Sequence, residues 1–104
     1  MDRQYTLNGY DFEWDEEKAQ TNLRKHNVRF EEACEVFFDP FHLWEDASRS
    51  DEQRYGLLGY AESDRMLYVV VTEQAEDAWR IVSARKAIKE EQRRYEKTNA
   101  VYER

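Results

Sequence analysis

Two strand-like stretches followed at once by a helical one constrain this chain more than any other feature. Met66-Leu67-Tyr68-Val69-Val70-Val71-Thr72 is apolar and β-branched, too short for a buried helix, and reads as a central strand covered on both faces. Trp79-Arg80-Ile81-Val82-Ser83-Ala84-Arg85-Lys86-Ala87 then sets Trp79, Ile81 and Ser83 against Arg80, Val82 and Ala84, the alternation of another strand. From about Lys86 the spacing turns helical, with Ile88, Gln92, Tyr95, Asn99 and Tyr102 on one face. Arg80, Arg85 and Lys86 are thereby gathered where a strand ends and a helix begins, a place where guanidinium groups and free backbone N–H groups both favour an anion. That anion is either an RNA phosphate or a carboxylate of the chain's own acidic surface, and the pattern leaves both open.

Upstream, Phe12 and Trp14 alternate with acidic residues and predict a short first strand, after residues 1–10 read as a loose arm. Asp15 is placed to cap a helix with Glu16 and Glu17 in its first turn; Lys25 and His26 fall in its last turn, and Asn27 suits the left-handed residue that ends it. Ala19, Leu23 and His26 form a thin apolar seam, with Lys18, Asn22 and Lys25 as an adjoining polar stripe. Such a helix suits packing at an edge while partly facing a cleft. A second helix carries Phe30, Ala33, Cys34 and Phe37 and stops at Pro40. His42-Leu43-Trp44 and Arg54 to Glu62 read as further strands around a polar loop from Asp46 to Glu52. Strand, two helices, strands and a last helix make the class α+β, with residues 1–104 as one domain.

Composition narrows the function. The formal net charge of −7 argues against generic nucleic-acid binding, so any RNA site must be a local basic patch. One cysteine with His26 and His42 supplies neither a disulfide nor a metal-ligand set, and Cys34 reads as a small core residue; no cofactor is expected. No apolar leader and no membrane-length run is visible, and a reducing cytoplasmic setting is expected.

Taken in order, several blocks resemble one known family. They are Phe12-x-Trp14-Asp15, Lys18-x-x-x-Asn22-x-x-Lys25-His26, Val28-x-Phe30-Glu31-Glu32-Ala33, Arg54, Gly59, the apolar strand at 66–72, Arg80 to Ala87, Glu91 and Tyr95. Over residues 11–97 the chain is similar to the BrnT toxins of bacterial type II toxin–antitoxin systems. The resemblance implies a RelE-like fold, with two N-terminal helices packed on a mainly antiparallel sheet and a C-terminal helix, and it implies ribonuclease activity. It also implies a BrnA-like antitoxin whose ribbon-helix-helix domain represses the shared operon, so operator DNA is read only through that partner. A dimer, or a heterotetramer with the antitoxin, is the assembly expected. Asn27 stands where the family commonly has glycine, Arg29 where a capping Ser or Asp is common, and Ile88 and Gln92 where polar or basic residues are usual.

Metal-free RNA cleavage needs a base at the 2′-OH, cations on the non-bridging oxygens and an acid at the leaving 5′-oxygen. His26 is the candidate proton-transfer group with Lys25 beside it; alternatively it packs by Leu23 and complements the helix dipole. Arg80 and Arg85 are candidates for the phosphorane's charge, or pair with nearby carboxylates. Glu91 and Tyr95, one helical turn apart, are candidates for an acid and its orienting group, although Tyr95 also suits the core. Arg54, Lys86 and Lys18 are candidate RNA contacts, with Arg54 equally able to pair with Asp51 or Glu52. Ser83 reads as a cap of the last helix. The aromatics Phe37, Phe38, Phe41 and Trp44 read as core or as a partner groove. Three functions stand against one another: a toxin endoribonuclease cutting mRNA, an inactive homologue that only binds the antitoxin, and an interaction module.

Overall fold

The computed structural model describes residues 1–100, so Tyr102 of the expected helical face lies outside the described residues. The elements are β1 (Asp2–Leu7), β2 (Tyr10–Asp15), α1 (Glu16–His26), α2 (Phe30–Glu35) with a following 3-10 turn (Val36–Phe38), β3 (Leu43–Asp46), β4 (Tyr55–Tyr60), β5 (Met66–Ala75), β6 (Ala78–Lys86) and α3 (Lys89–Asn99). The six strands form one mixed sheet in the order β1-β2-β6-β5-β4-β3. Only β2 and β6 run parallel; the other neighbours are antiparallel.

Residues 1–10, expected as a loose arm, instead begin the sheet. Asn8 and Gly9 both take positive φ, 51° and 84°, and turn β1 back onto β2. An Asn-Gly pair relieves the strain of a two-residue hairpin turn, because both residues tolerate that backbone. Tyr5 then lays its ring 5.6 Å from Trp14, drawing β1 onto the core.

The larger core lies on one face of the sheet. Phe12, Trp14, Leu57, Leu67, Val69, Val71, Ile81 and Ala84 meet Val28, Phe30, Ala33, Cys34, Val36 and Phe37 from the helical segment. Leu58, on the opposite face from its neighbour Leu57, joins Met66, Ala87 and Tyr95 beneath α3. β5 is thus buried along one face at Leu67, Val69 and Val71, while on the other only Met66 is buried and Tyr68 and Val70 are half-buried. The covering of both faces that its apolar run predicts therefore holds only at its start. The lone thiol, Cys34, is fully buried, and burial pushes its pKa well above the ordinary thiol value.

One junction decides where α1 sits. β2 pairs with β6 only over Asp11–Glu13 against Ala78–Arg80, and the chain then leaves the sheet as α1. The next stretch of β6 thereby loses its neighbour strand. Asn22 of α1 takes that strand's place: its amide donates 2.8 Å to Ala84 O and its carbonyl accepts 3.0 Å from Ala84 N. A second amide bond, 3.1 Å to Val28 O, ties the same side chain to the segment after the helix. Asn22 is 6% exposed, so each of these groups is shielded from water.

Asn22→Leu therefore strands a buried backbone N–H and two carbonyls, and it should cost about 2–4 kcal/mol. Urea unfolding read by tryptophan fluorescence checks this; a midpoint within error of the wild type would show that Asn22 does not hold the helix to the strand.

Candidate active site

α1 runs from its Asp15 cap, whose carboxylate accepts 3.0 Å from Lys18 N, to Asn27 at φ 57°. The helix end is pinned from outside: Arg65 donates 2.9 Å to Asn27 O and forms an ion pair with Glu32, which also accepts from Ser63. Lys25 and His26 are thus presented from a fixed turn. With Lys18, Thr21 and Asn22 they line a cleft of about 430 Å³ whose floor is Val82 and Ser83 of β6, with Asp15 and Glu17 at the far end.

Val82 and Ser83 are also shared by a second cavity of about 520 Å³, lined by Ala47, Ser48, Arg49, Arg54, Tyr68, Val70 and Arg85. The two hollows adjoin at Val82 and Ser83, one on the α1 side of β6 and the other towards the loop before β4, and the two together are termed the groove. Its shape depends on an irregularity in the strand. The register between β5 and β6 shifts after Val70, where Ser83 pairs with Val70 but Ile81 pairs with Val71, leaving Val82 as the extra residue. Such a bulge reverses the alternation. Ser83 consequently faces away from Ile81, into the groove, which corrects its expected role as a cap of the last helix. α3 begins at Lys89 instead, and Glu91 caps it by accepting 2.9 Å from Ile88 N.

The arginines divide. Arg54 lines the groove; one guanidinium nitrogen donates 3.1 Å to Glu52, but its Nε–H is buried with no acceptor among the described residues. Arg85 also lines the groove and is clamped by Glu91 through two bonds of 2.8 Å, with its guanidinium 4.7 Å from the centre of the Tyr68 ring. Arg80 lines neither hollow. It pairs with Asp2 at 3.0 Å and with Glu13, at the outer end of the same face. Lys86 is exposed and lies towards Glu32, whose carboxyl its charge helps hold below the usual range after the Arg65 and Ser63 bonds. Tyr95 is buried under the sheet, donating 2.7 Å to Asp39, and burial with that bond raises its pKa. The structure so brings together Lys18, Lys25, His26, Arg54 and Arg85, and holds Arg80, Lys86 and Tyr95 apart from them, with Glu91 behind Arg85. Arg49, Ser48, Ser83 and Tyr68 are groove residues that sequence reasoning missed.

For Arg80 and Arg85 the partners are the chain's own carboxylates. Lys18 and Lys25 form no ion pair among the described residues. A small α+β protein with basic side chains along a groove across its sheet is the class these features define. The sequence profile described as the ribonuclease toxin BrnT of type II toxin–antitoxin systems matches residues 14–91, and the chain belongs to that family. A crystal structure of the Brucella abortus ribonuclease toxin BrnT is similar to it at 25% identity and a TM-score of 0.56, covering 73% of this chain and 94% of the Brucella chain. No curated protein matches the sequence.

The clamp on Arg85 carries a pH signature. Burial alone would raise the Glu91 pKa, but the bonds from Arg85 and Ile88 N outweigh it, and the value falls below the ordinary 4.5. A depressed carboxylate stabilises the fold fully above its unfolded value and loses that contribution as pH falls through the folded one. Glu91→Gln should cost about 1–2 kcal/mol at pH 7, modest because Arg85 is partly solvated, and progressively less below pH 4.5. Parallel pH series of urea midpoints test this; curves for the two proteins that stay equally separated down to pH 2 would refute it.

Proposed function

We propose that this protein is a RelE-like toxin endoribonuclease that cuts mRNA in the groove between α1 and the loop before β4, without a metal ion, and that a BrnA-like antitoxin neutralises it. One observation carries the reading: in a chain of net charge −7, cations from α1, β6 and the β3–β4 loop converge on a single groove. Membership of a family described as ribonuclease toxins supports it.

The assigned chemistry is transesterification. The ribose 2′-oxygen attacks the adjacent phosphorus, the P–O5′ bond breaks, and the products are a 2′,3′-cyclic phosphate and a free 5′-hydroxyl. The 2′-OH proton leaves to a base and the departing 5′-oxygen receives a proton, with no net change in the protein's charge over the cycle. His26 is the proton-transfer group of the groove, while Lys25 and Lys18 draw the backbone to the helix side. Arg54 and Arg85 hold the non-bridging oxygens, where planar guanidinium donors match phosphate geometry. Glu91 keeps Arg85 in that orientation. Arg80, with two carboxylates of its own, anchors β1 and β2 to β6 and sets the edge of the groove.

RNA cleavage by the purified protein should persist in EDTA. His26→Ala should lower the cleavage rate by roughly 100- to 10,000-fold. Arg54→Ala should reduce the salt dependence of single-stranded RNA binding by about 0.7 in slope, one phosphate contact's worth. Intact RNA after incubation with folded wild-type protein, together with no growth arrest on its expression alone, would overturn the ribonuclease reading.

A further inference from the structure

Tyr68 is a polar side chain on the groove wall that the scheme above leaves unused. On β5 it pairs with Leu58 of β4 and with Arg85 of β6. Its ring does not stand upright over Leu58 but leans along β4 until the phenol end lies above Gly56. A Cβ at residue 56 would overlap the hydroxyl and stand 2.5 Å from Cζ, so only glycine leaves room for this pose. From there the ring supports the Arg85 guanidinium at 4.7 Å, and the hydroxyl reaches the cavity that Arg54 and Arg85 line.

Among the described residues no side chain or backbone carbonyl accepts from that hydroxyl. Burial, then Glu45 and Glu91, raise the phenol pKa against the opposing Arg85 and Arg94 charges, so the O–H remains a donor at neutral pH. Its neighbours on the cavity wall are the guanidiniums of Arg49, Arg54 and Arg85, the hydroxyl of Ser83, and that of Ser48, which already bonds the Arg54 backbone. These neighbours are mainly donors, and no carboxylate lines this cavity.

We propose that Tyr68 is a substrate-contacting residue of this groove, its phenolic O–H donating to a phosphodiester oxygen held by Arg54 and Arg85, and that Gly56 is the positioning residue that lets the ring lie there. The inference rests on the groove being the RNA site, and the test separates the two.

Two oligonucleotides of one sequence serve as probes: single-stranded RNA for cleavage, and its all-2′-deoxy counterpart, which cannot be cut, for affinity by fluorescence anisotropy. Tyr68→Phe keeps the ring and its support of Arg85. It should retain the wild-type melting temperature within a few degrees, cleave roughly 10- to 100-fold more slowly and bind the deoxy probe about 10-fold more weakly. Because a neutral donor is lost, the slope of affinity against salt should not change, in contrast to Arg54→Ala. Gly56→Ala should show the same defect, and the double variant should be no worse than the poorer single one. Should Gly56→Ala fail to fold, Tyr68→Phe decides alone. Wild-type cleavage and affinity in Tyr68→Phe would overturn the inference while leaving the groove intact if His26→Ala is still impaired. A wild type that binds the deoxy probe but never cuts RNA would end the catalytic reading, with Tyr68 then judged on affinity. No binding by the wild type would end both.

Discussion

The structure depends on how an unpaired stretch of strand is satisfied. Beyond Arg80, β6 has no strand on its outer side, and bare N–H and C=O groups there would be costly beneath a helix. The Asn22 amide supplies a donor and an acceptor at Ala84, and so mimics the missing strand at one residue. Because the mimic is a side chain on α1, the helix must lie beside β6 with one face turned to its edge. Lys18 and Lys25 are its neighbours on that face, and their position over Val82 and Ser83 follows. A hydrogen-bonding requirement inside the fold thus sets the geometry of the surface.

Charge is distributed by the same economy. Arginines at several sites are neutralised within the chain: Arg65 by Glu32, Arg80 by Asp2 and Glu13, Arg94 by Glu45 and Glu90. All but Arg94–Glu90 join segments distant in sequence, tying β1 to β6 and α3 to β3. At the groove Arg54 and Arg85 are paired too, with Glu52 and Glu91, so the cations left without an ion pair there among the described residues are Lys18, Lys25 and Arg49. At physiological salt, charges more than about 8 Å away are largely screened, so the potential in the groove is set mainly by the residues that line it.

Most elements were legible in the sequence because they follow from local rules. The Asp15 cap, the left-handed Asn27 and the apolar run of β5 each act through neighbours along the chain. The polar stripe Lys18-Asn22-Lys25 was visible by spacing, and the cleft it faces agrees with that reading. What Asn22 bonds was not visible, since Ala84 lies 62 residues away. The hairpin at Asn8-Gly9 did carry a signal, the strongest short one for a two-residue turn, and overlooking it turned β1 into a loose arm. The bulge at Val82 is different in kind. Nothing in Ile81-Val82-Ser83 marks it, because an extra residue is revealed only by the partner strand, and simple alternation therefore put Ser83 on the wrong face.

That one-residue irregularity also explains why the candidate site has two unlike halves. Before the bulge, the outward position of β6 is Arg80, already bound to the acidic edge strands; after it, the outward positions are Ser83 and Arg85. An unbroken alternation continuing from Arg80 would have sent Ser83 and Arg85 into the buried face and Ala84 outward. Burying a guanidinium there, among Leu67, Val69 and Phe30, would cost several kcal/mol even if paired. The bulge avoids that cost and places Arg85 against Tyr68 and Glu91, while leaving Ala84 inward for Asn22 to hold. The helical half of the groove and the arginine half are consequently coupled through adjacent residues of one strand. A ligand spanning both would bear on a single support, with its two ends held in a fixed relation.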